Sequence, residues 1–299
     1  MKKLMFLLLL LGLWVLAGWA QDNASISKYV WVEHIQVNSG KGPTFTKYVS
    51  QIKEAVDSNN AELNWIAGTA MTGNMSDYTF VSFHNSFQDI SNFDQAFGKV
   101  MKAAMVKNVS MLSQAAESER MAHAEMYKYR DDLSWNPTKV NGPQTTYWRV
   151  TVYHVKPGMT MKYEDLVKEV LSLRKSGNID DNWIEYQAVA GAPNNTFVSV
   201  VPMKSLADMD VDRKAAIDAV YTPAVRHNLG AMVAECLESS ESNIISVNPN
   251  MSRPPKTYLA ANPDFWTVKA DDMQAASAKT TGKTKSKFKE ATVKEEKKQ

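Results

Sequence analysis

Asn64-Trp65-Ile66 returns as Asn182-Trp183-Ile184, and Thr79-Phe80-Val81-Ser82 returns as Thr196-Phe197-Val198-Ser199. Gly40, Trp65 and Gly73 recur as Gly158, Trp183 and Gly191, each 118 positions further along. A repeat of this length means two similar folding units in one chain, not a short-period solenoid.

Reading outward from Trp65, the apolar pattern gives the same elements in both copies. Tyr29–Val37 is β-rich. Phe45, Tyr48, Val49, Ile52 and Val56 recur at helical spacing, ended by Asn59-Asn60. Leu63–Met71 and Tyr78–His84 read as strands around Gly73-Asn74. A long helical stretch spans Ile90 to Glu125, with a break expected in it, and Tyr127–Trp135 reads as a fourth strand closed by Asn136-Pro137. In the second copy Thr146–Val155 is a strand, and Tyr163, Leu166, Val167, Val170 and Leu171 form a helix face. Trp183–Val189 and Thr196–Val201 pair as strands, and Asp212–Ser239 is helical with Pro223 splitting it. Asn243–Val247 closes the copy before Asn248-Pro249.

Each copy is therefore β-α-β-β-α-β, the ferredoxin-like order, and the chain is α+β. Two such sheets can hide their open faces against each other within one chain. The element order, the repeated segments and their spacing, over Tyr29 to Asn250, resemble the dimeric α/β-barrel superfamily in its fused two-repeat form. The resemblance implies two tandem ferredoxin-like βαββαβ repeats forming an intramolecular α/β barrel. The expected division is a first repeat at 29–142, a second at 143–252, and an extension at 253–274.

The N-terminus reads as an export signal. Lys2 and Lys3 precede the apolar run Leu4–Val15, and Gly18-Trp19-Ala20 supplies small residues before a cleavage after Ala20. The expected signal peptide is 1–20 and a leader is 21–28, placing the protein in a bacterial periplasm or outside the cell. The apolar run is short for a membrane span, and no later segment is apolar enough for one. The formal net charge is +2, but segment 279–299 holds eight lysines against three glutamates. With the leader lysines also set aside, the body is net negative and offers no nucleic-acid footprint. The tail 275–299 has the composition of a disordered, solubilising end. The single cysteine, Cys236, excludes an internal disulfide and reads as a buried structural thiol.

On strand one, Glu33 shares a face with Trp31, Ile35 and Val37, and its counterpart carries Arg149, Thr151 and Tyr153. Val150 and Val152 lie opposite and read as the helix-facing core, leaving the polar face for an internal cavity. The candidate ligand-binding set is Glu33, Trp65, Arg149, Tyr153, Trp183 and Glu185. The competing reading pairs Glu33 with Arg149 across the seam between repeats and makes Trp65 and Trp183 symmetric packing anchors. No catalytic residue is assigned. No His-x-His or His-Glu-x-x-His spacing occurs, so no metal site is expected from spacing. Asp208, Asp210 and Asp212 alternate like a calcium loop but lack its glycine and closing glutamate, so capping accounts for them. Nucleotide-loop and nucleophile-elbow motifs are absent.

These readings point to an exported protein that binds a small molecule in the cavity between repeats, as a monomer with a pseudo-dimeric core or a homo-oligomer. The resemblance adds a monooxygenase-like or haem-dependent enzyme, with His227 as a candidate axial ligand to haem. A third reading is a structural or interaction module whose core is filled.

Overall fold

The computed structural model describes residues 26–267. The expected signal peptide (1–20) and Lys-rich tail (275–299) lie outside the described residues. Eight antiparallel strands close into a barrel. In the first half, β1 (Tyr29–Val37) lies between β3 (Asp77–His84) and β4 (Glu119–Tyr129), with β2 (Ile66–Ala70) beyond β3. In the second, β5 (Tyr147–Val155) lies between β7 (Thr196–Met203) and β8 (Leu237–Val247), with β6 (Ile184–Ala190) beyond β7. The strand orders β4-β1-β3-β2 and β8-β5-β7-β6 are the same order twice. Two seams close the ring. Gly68, Thr69 and Ala70 of β2 meet Val247, Ser246 and Ile245 of β8, and Met126–Tyr129 of β4 meets Tyr186–Ala190 of β6. Each half thus covers the other's bare sheet edges, which would otherwise offer unpaired N–H and C=O groups.

The outer face carries helices. In the first half these are α1 (Gly42–Ser58), α2 (Phe87–Lys107) and α3 (Ser110–Ser118); in the second, α4 (Thr160–Ser176), α5 (Lys214–Val220) and α6 (Pro223–Cys236). Phe45, Tyr48, Val49, Ile52 and Val56 all turn inward from α1, as their spacing predicts. Pro223 occupies the first turn of α6, where its missing N–H costs nothing, and Thr222 caps that helix through Val225 N–H. Asp212 Oδ1 accepts from Lys214 N–H where α5 begins, the capping expected ahead of Arg213, while Asp208 forms a capping box with Ser205 on a separate turn.

Two expectations need correcting. The helix anticipated up to Glu125 stops at Ser118, and β4 begins at the next residue. β8 likewise starts at Leu237, directly after α6, where helix was anticipated to Ser239. The residues 119–126 and 237–242 have no strand-like alternation of their own. They are strands because the edges of β1 and β5 are there to pair with, and each join is absorbed by a register shift, at Gln36/Val37 and His154/Val155. Ser118 and Cys236, 118 positions apart, are both fully buried at these joins. Their carbonyls accept from Asn38 N–H and Lys156 N–H, each at 2.8 Å.

The second correction concerns faces. Val30, Val32, Val150, Val152, Tyr127, Tyr186, Ala188 and Val198 cluster inside the barrel. Ile35, Val37, Ala67 and Phe80 pack outward on the helices. The valine-rich face of β5 therefore fills the barrel, and the face bearing Glu33, Arg149 and Tyr153 looks toward the helices, the reverse of the expectation. A narrow eight-stranded barrel is filled by its own side chains, so the most uniformly apolar face belongs inside.

The repeated tryptophans act alike. Trp65 Nε1 donates to Met251 O and Trp183 Nε1 to Leu133 O, both at 2.8 Å. Met251 and Leu133 are themselves buried and 118 apart. Each indole pins the chain as it leaves the fourth strand of a half, which is the packing-anchor reading. After β8, α7 (Lys256–Ala261) and α8 (Pro263–Trp266) fold over one end of the barrel. Trp266 packs there with Ile66, Val247 and Trp148, and its Nε1 donates to Pro143 O at 2.9 Å.

Trp65 is nearly fully buried and Trp183 only half-buried. Trp65→Ala should cost about 3–5 kcal/mol and Trp183→Ala less, measured by urea unfolding; equal losses would contradict the asymmetry. Gly191 has φ +84° and a Cβ there would clash with Ala124 O, whereas Gly158, at φ +80°, has open space around it. Gly191→Ala should lower the melting temperature clearly more than Gly158→Ala.

Candidate functional site

Two clefts open between the sheet and its helices, one in each half. The larger, of about 860 Å³, lies in the second half and is walled by β5, β6 and β7 against α4, α5 and α6. The smaller, of about 340 Å³, lies between β1 and β3 and helices α1 and α2. Arg149, Tyr153, Trp183 and Glu185 line the larger cleft, and Glu33 and Trp65 line the smaller. The six residues expected in one inter-repeat cavity are therefore divided between two sites. Their shared outward orientation explains this, because outer faces of the two halves have the barrel between them. The expected Glu33–Arg149 pair across the seam is excluded by the same division.

In the larger cleft, Glu185 is carried on β6 at a position where the first half has Ala67. It is 1 % exposed and forms part of the floor. Tyr163, on α4, donates to its Oε1 at 2.7 Å. Burial pushes the Glu185 carboxyl up to about 7, against the opposing pull of the bonds from Tyr163 and Ser199 and of the Arg130 charge. Tyr163 is raised well above the ordinary phenol value by burial and by Glu185, and Tyr153 is raised by burial first and Glu185 second. The two rings stand 5.7 Å apart. Beside this group, Arg130 forms a bidentate pair with Asp132 at 2.8 Å and also reaches Glu164 and Gln187. It ties the turn after β4 to α4 and β6 and is fully engaged.

Three other cations of the cleft are engaged. Lys139 pairs with Asp180, Arg174 pairs with Asp181, and Arg213 donates to Asp180 O. Arg149 differs: it is exposed, lines the cleft, and has no acidic partner among the described residues. Elsewhere in the same cleft Leu166, Val167, Val170, Leu229 and Val233 supply apolar wall.

In the smaller cleft, burial raises the Glu33 and Glu119 carboxyls, and Glu33 raises Glu119 further. Tyr48 is pushed up to about 12 by burial and by these two carboxylates. His84 Nε2 lies 2.8 Å from Ser82 Oγ, and burial lowers its pKa.

His227 is exposed on α6 and lines neither cleft; Leu229 and Val233 face the larger one instead. The residues that α6 turns to the larger cleft are apolar, and neither cleft includes His227. Cys236 is fully buried, as expected, and burial raises its thiol pKa.

Sequence spacing missed one grouping. His34 and His123 are directly opposed on β1 and β4, with Glu125 two residues further along β4. Their ligand atoms lie within 4.8 Å of one another, a grouping that could hold a metal ion. The histidines are 89 positions apart in sequence, which no local motif can reveal. The visible signal was their departure from the repeat, since the second copy has Val152, Glu241 and Asn243 at these places.

No protein-family model matches the chain, and no curated protein matches it. Similar solved structures include a mutant chlorite dismutase from Candidatus Nitrospira defluvii, at 10 % identity and a TM-score of 0.45, over 81 % of this chain and 98 % of that one. An anthrone oxidase-like protein aligns at 13 % identity and 0.45, over 75 % and 93 %. A monooxygenase-like protein from Fusobacterium nucleatum aligns at 13 % and 0.45, over 74 % and 93 %. The closed barrel itself is read from the strand pairing.

Because the folded pKa of Glu185 is raised, the folded state favours its protonated form. Its stabilising share is complete below the unfolded value near 4.5 and is lost as pH rises through about 7. The stability of the wild type relative to Glu185→Gln should therefore fall by on the order of 3 kcal/mol between pH 4.5 and 7.5. Urea unfolding across that range checks this; a pH-independent difference would mean the carboxyl is not displaced.

Proposed function

We propose that this chain is an exported binding protein for a small organic acid with an apolar body, held in the larger cleft of its second half. Arg149 carries the reading: it is an exposed cation with no acidic partner among the described residues, lining a cleft of about 860 Å³ in which Lys139 and Arg174 are already paired. The ligand's anionic group would meet the Arg149 guanidinium, where a charge-assisted bond is strongest. Its body would lie along Val167, Val170, Leu229 and Val233, displacing water from apolar surface. Tyr153 adds a hydroxyl on the same strand face. Export rests on the leader sequence alone. The two identical strand orders support reading each half as a ferredoxin-like unit and the whole as a fused dimeric α/β barrel.

An enzyme of that superfamily is the alternative. It is favoured by one observation: a carboxyl titrating at about 7 and bonded to Tyr163 has the pKa of a general acid–base. Its depth below the surface favours the binding reading.

The anionic, apolar dye 1-anilinonaphthalene-8-sulfonate tests the proposal. Saturable one-to-one binding to the folded mature chain is expected, weakened about tenfold, or ~1.4 kcal/mol, in Arg149→Gln. Near-UV circular dichroism establishes that both proteins are equally folded. Equal affinity in Arg149→Gln, or no saturable binding, would overturn the reading.

A further inference from the structure

The helix-covered clefts leave one end of the barrel unexplained. The C-terminal helices pack over the end where β5 begins and β8 finishes. At the opposite end the inward-facing residues change from valine and alanine to histidine and glutamate. His34 on β1 and His123 on β4 are cross-strand partners, with rings stacked at 4.8 Å between centroids. Glu125 follows on the same face of β4. Its Oε2 lies 3.3 Å from His34 Nε2 and its Oε1 lies 3.7 Å from His123 Nε2.

We propose that His34, His123 and Glu125 form a binding site for a divalent first-row transition-metal ion at the open end of the barrel. Two imidazoles and one carboxylate suit zinc, iron or nickel better than calcium or magnesium, which take oxygen ligands. A tetrahedral ion about 2.0–2.1 Å from each donor needs donors roughly 3.4 Å apart. The two carboxylate–imidazole separations, 3.3 Å and 3.7 Å, bracket that spacing. Rotation of the side chains within the 4.8 Å limit of the cluster brings the imidazoles to it. Both rings are part-exposed, with side-chain exposures of 33 % and 47 %, while Glu125 is more enclosed at 17 %. The ion would keep at least one position open to water.

Two further observations favour a built site. Tyr127, next on this face of β4, donates to Glu125 Oε2 at 2.6 Å and fixes the carboxylate, as outer partners of metal ligands do. The repeat supplies the second observation: the same barrel positions in the other half are Val152, Glu241 and Asn243, with Ile245 in place of Tyr127. The fold closes on that side without this set, so the barrel does not require it.

Cobalt(II) titration of the metal-stripped, tag-free mature chain is the test. One equivalent should bind with visible d–d absorption, and zinc should displace it. His34→Ala and His123→Ala should each weaken cobalt binding about a hundredfold, and Tyr127→Phe about tenfold. Glu125→Gln, a near-isosteric change, should weaken it comparably to the histidine variants without the folding risk. His154→Ala, at the matching end of β5 but outside the cluster, should leave affinity unchanged. Absence of saturable uptake would overturn the proposal. So would unchanged affinity in both histidine variants, or an equal loss in His154→Ala.

Discussion

Closure of the sheet is the constraint on which everything else rests. A four-stranded layer with helices on one side has one bare face and two bare edges. Here both defects are removed at once, because the faces meet around a shared interior and the edges meet at two seams. The seams are unequal: β4–β6 is the longer, and β2–β8 pairs only three residues. The shorter seam is reinforced from outside the strands. Met71 N–H donates to Ile244 O, Asn248 N–H donates to Ala67 O, and Ser252 Oγ accepts from Ala67 N–H. Trp65 is fixed to Met251 a few residues away.

This closure also sorts the chemistry. The space inside is small and is filled by aliphatic and tyrosine side chains from both halves. Polar groups with room around them can sit only beneath the helices or at an uncovered end. Both clefts and the His34–His123–Glu125 cluster occupy those places. The halves share a frame but not a site: Glu185 stands where the first half has Ala67, and Glu33 stands where the second has Thr151. Identity between copies marks what the frame needs, as at Trp65 and Trp183. Difference between copies marks where a group is free to serve another purpose.

The architecture was largely legible because it is written in periodicity and repetition. The α1 and α4 faces, the split at Pro223 and the strands β1, β3, β5 and β7 follow from local pattern. The starts of β4 and β8 do not, since Glu119–Met126 alternates poorly and its strand character comes from β1 beside it. The orientation of the faces was misread for a definite reason. A polar strand face suggested a cavity in the middle, but a narrow barrel fills its middle and leaves its space outside. Four of the six candidate residues, Arg149, Tyr153, Trp183 and Glu185, do share a cleft. Glu33 and Trp65 belong to the other, and the metal-ligand cluster depends on a cross-strand register that no single segment encodes.

The short β2–β8 seam has a kinetic side. Gly68 finds its partner Val247 almost at the far end of the folded chain, and the helices that cover that end of the barrel come later still. Loop-closure entropy must be overcome before this pairing returns anything, which places the fold among slow, high-contact-order topologies. A growing chain therefore carries its first half with two unpaired edges until nearly all of the second has emerged. Through that interval its natural partner is the matching half of any neighbouring copy. Domain-swapped pairing is thus the characteristic way for this barrel to misassemble.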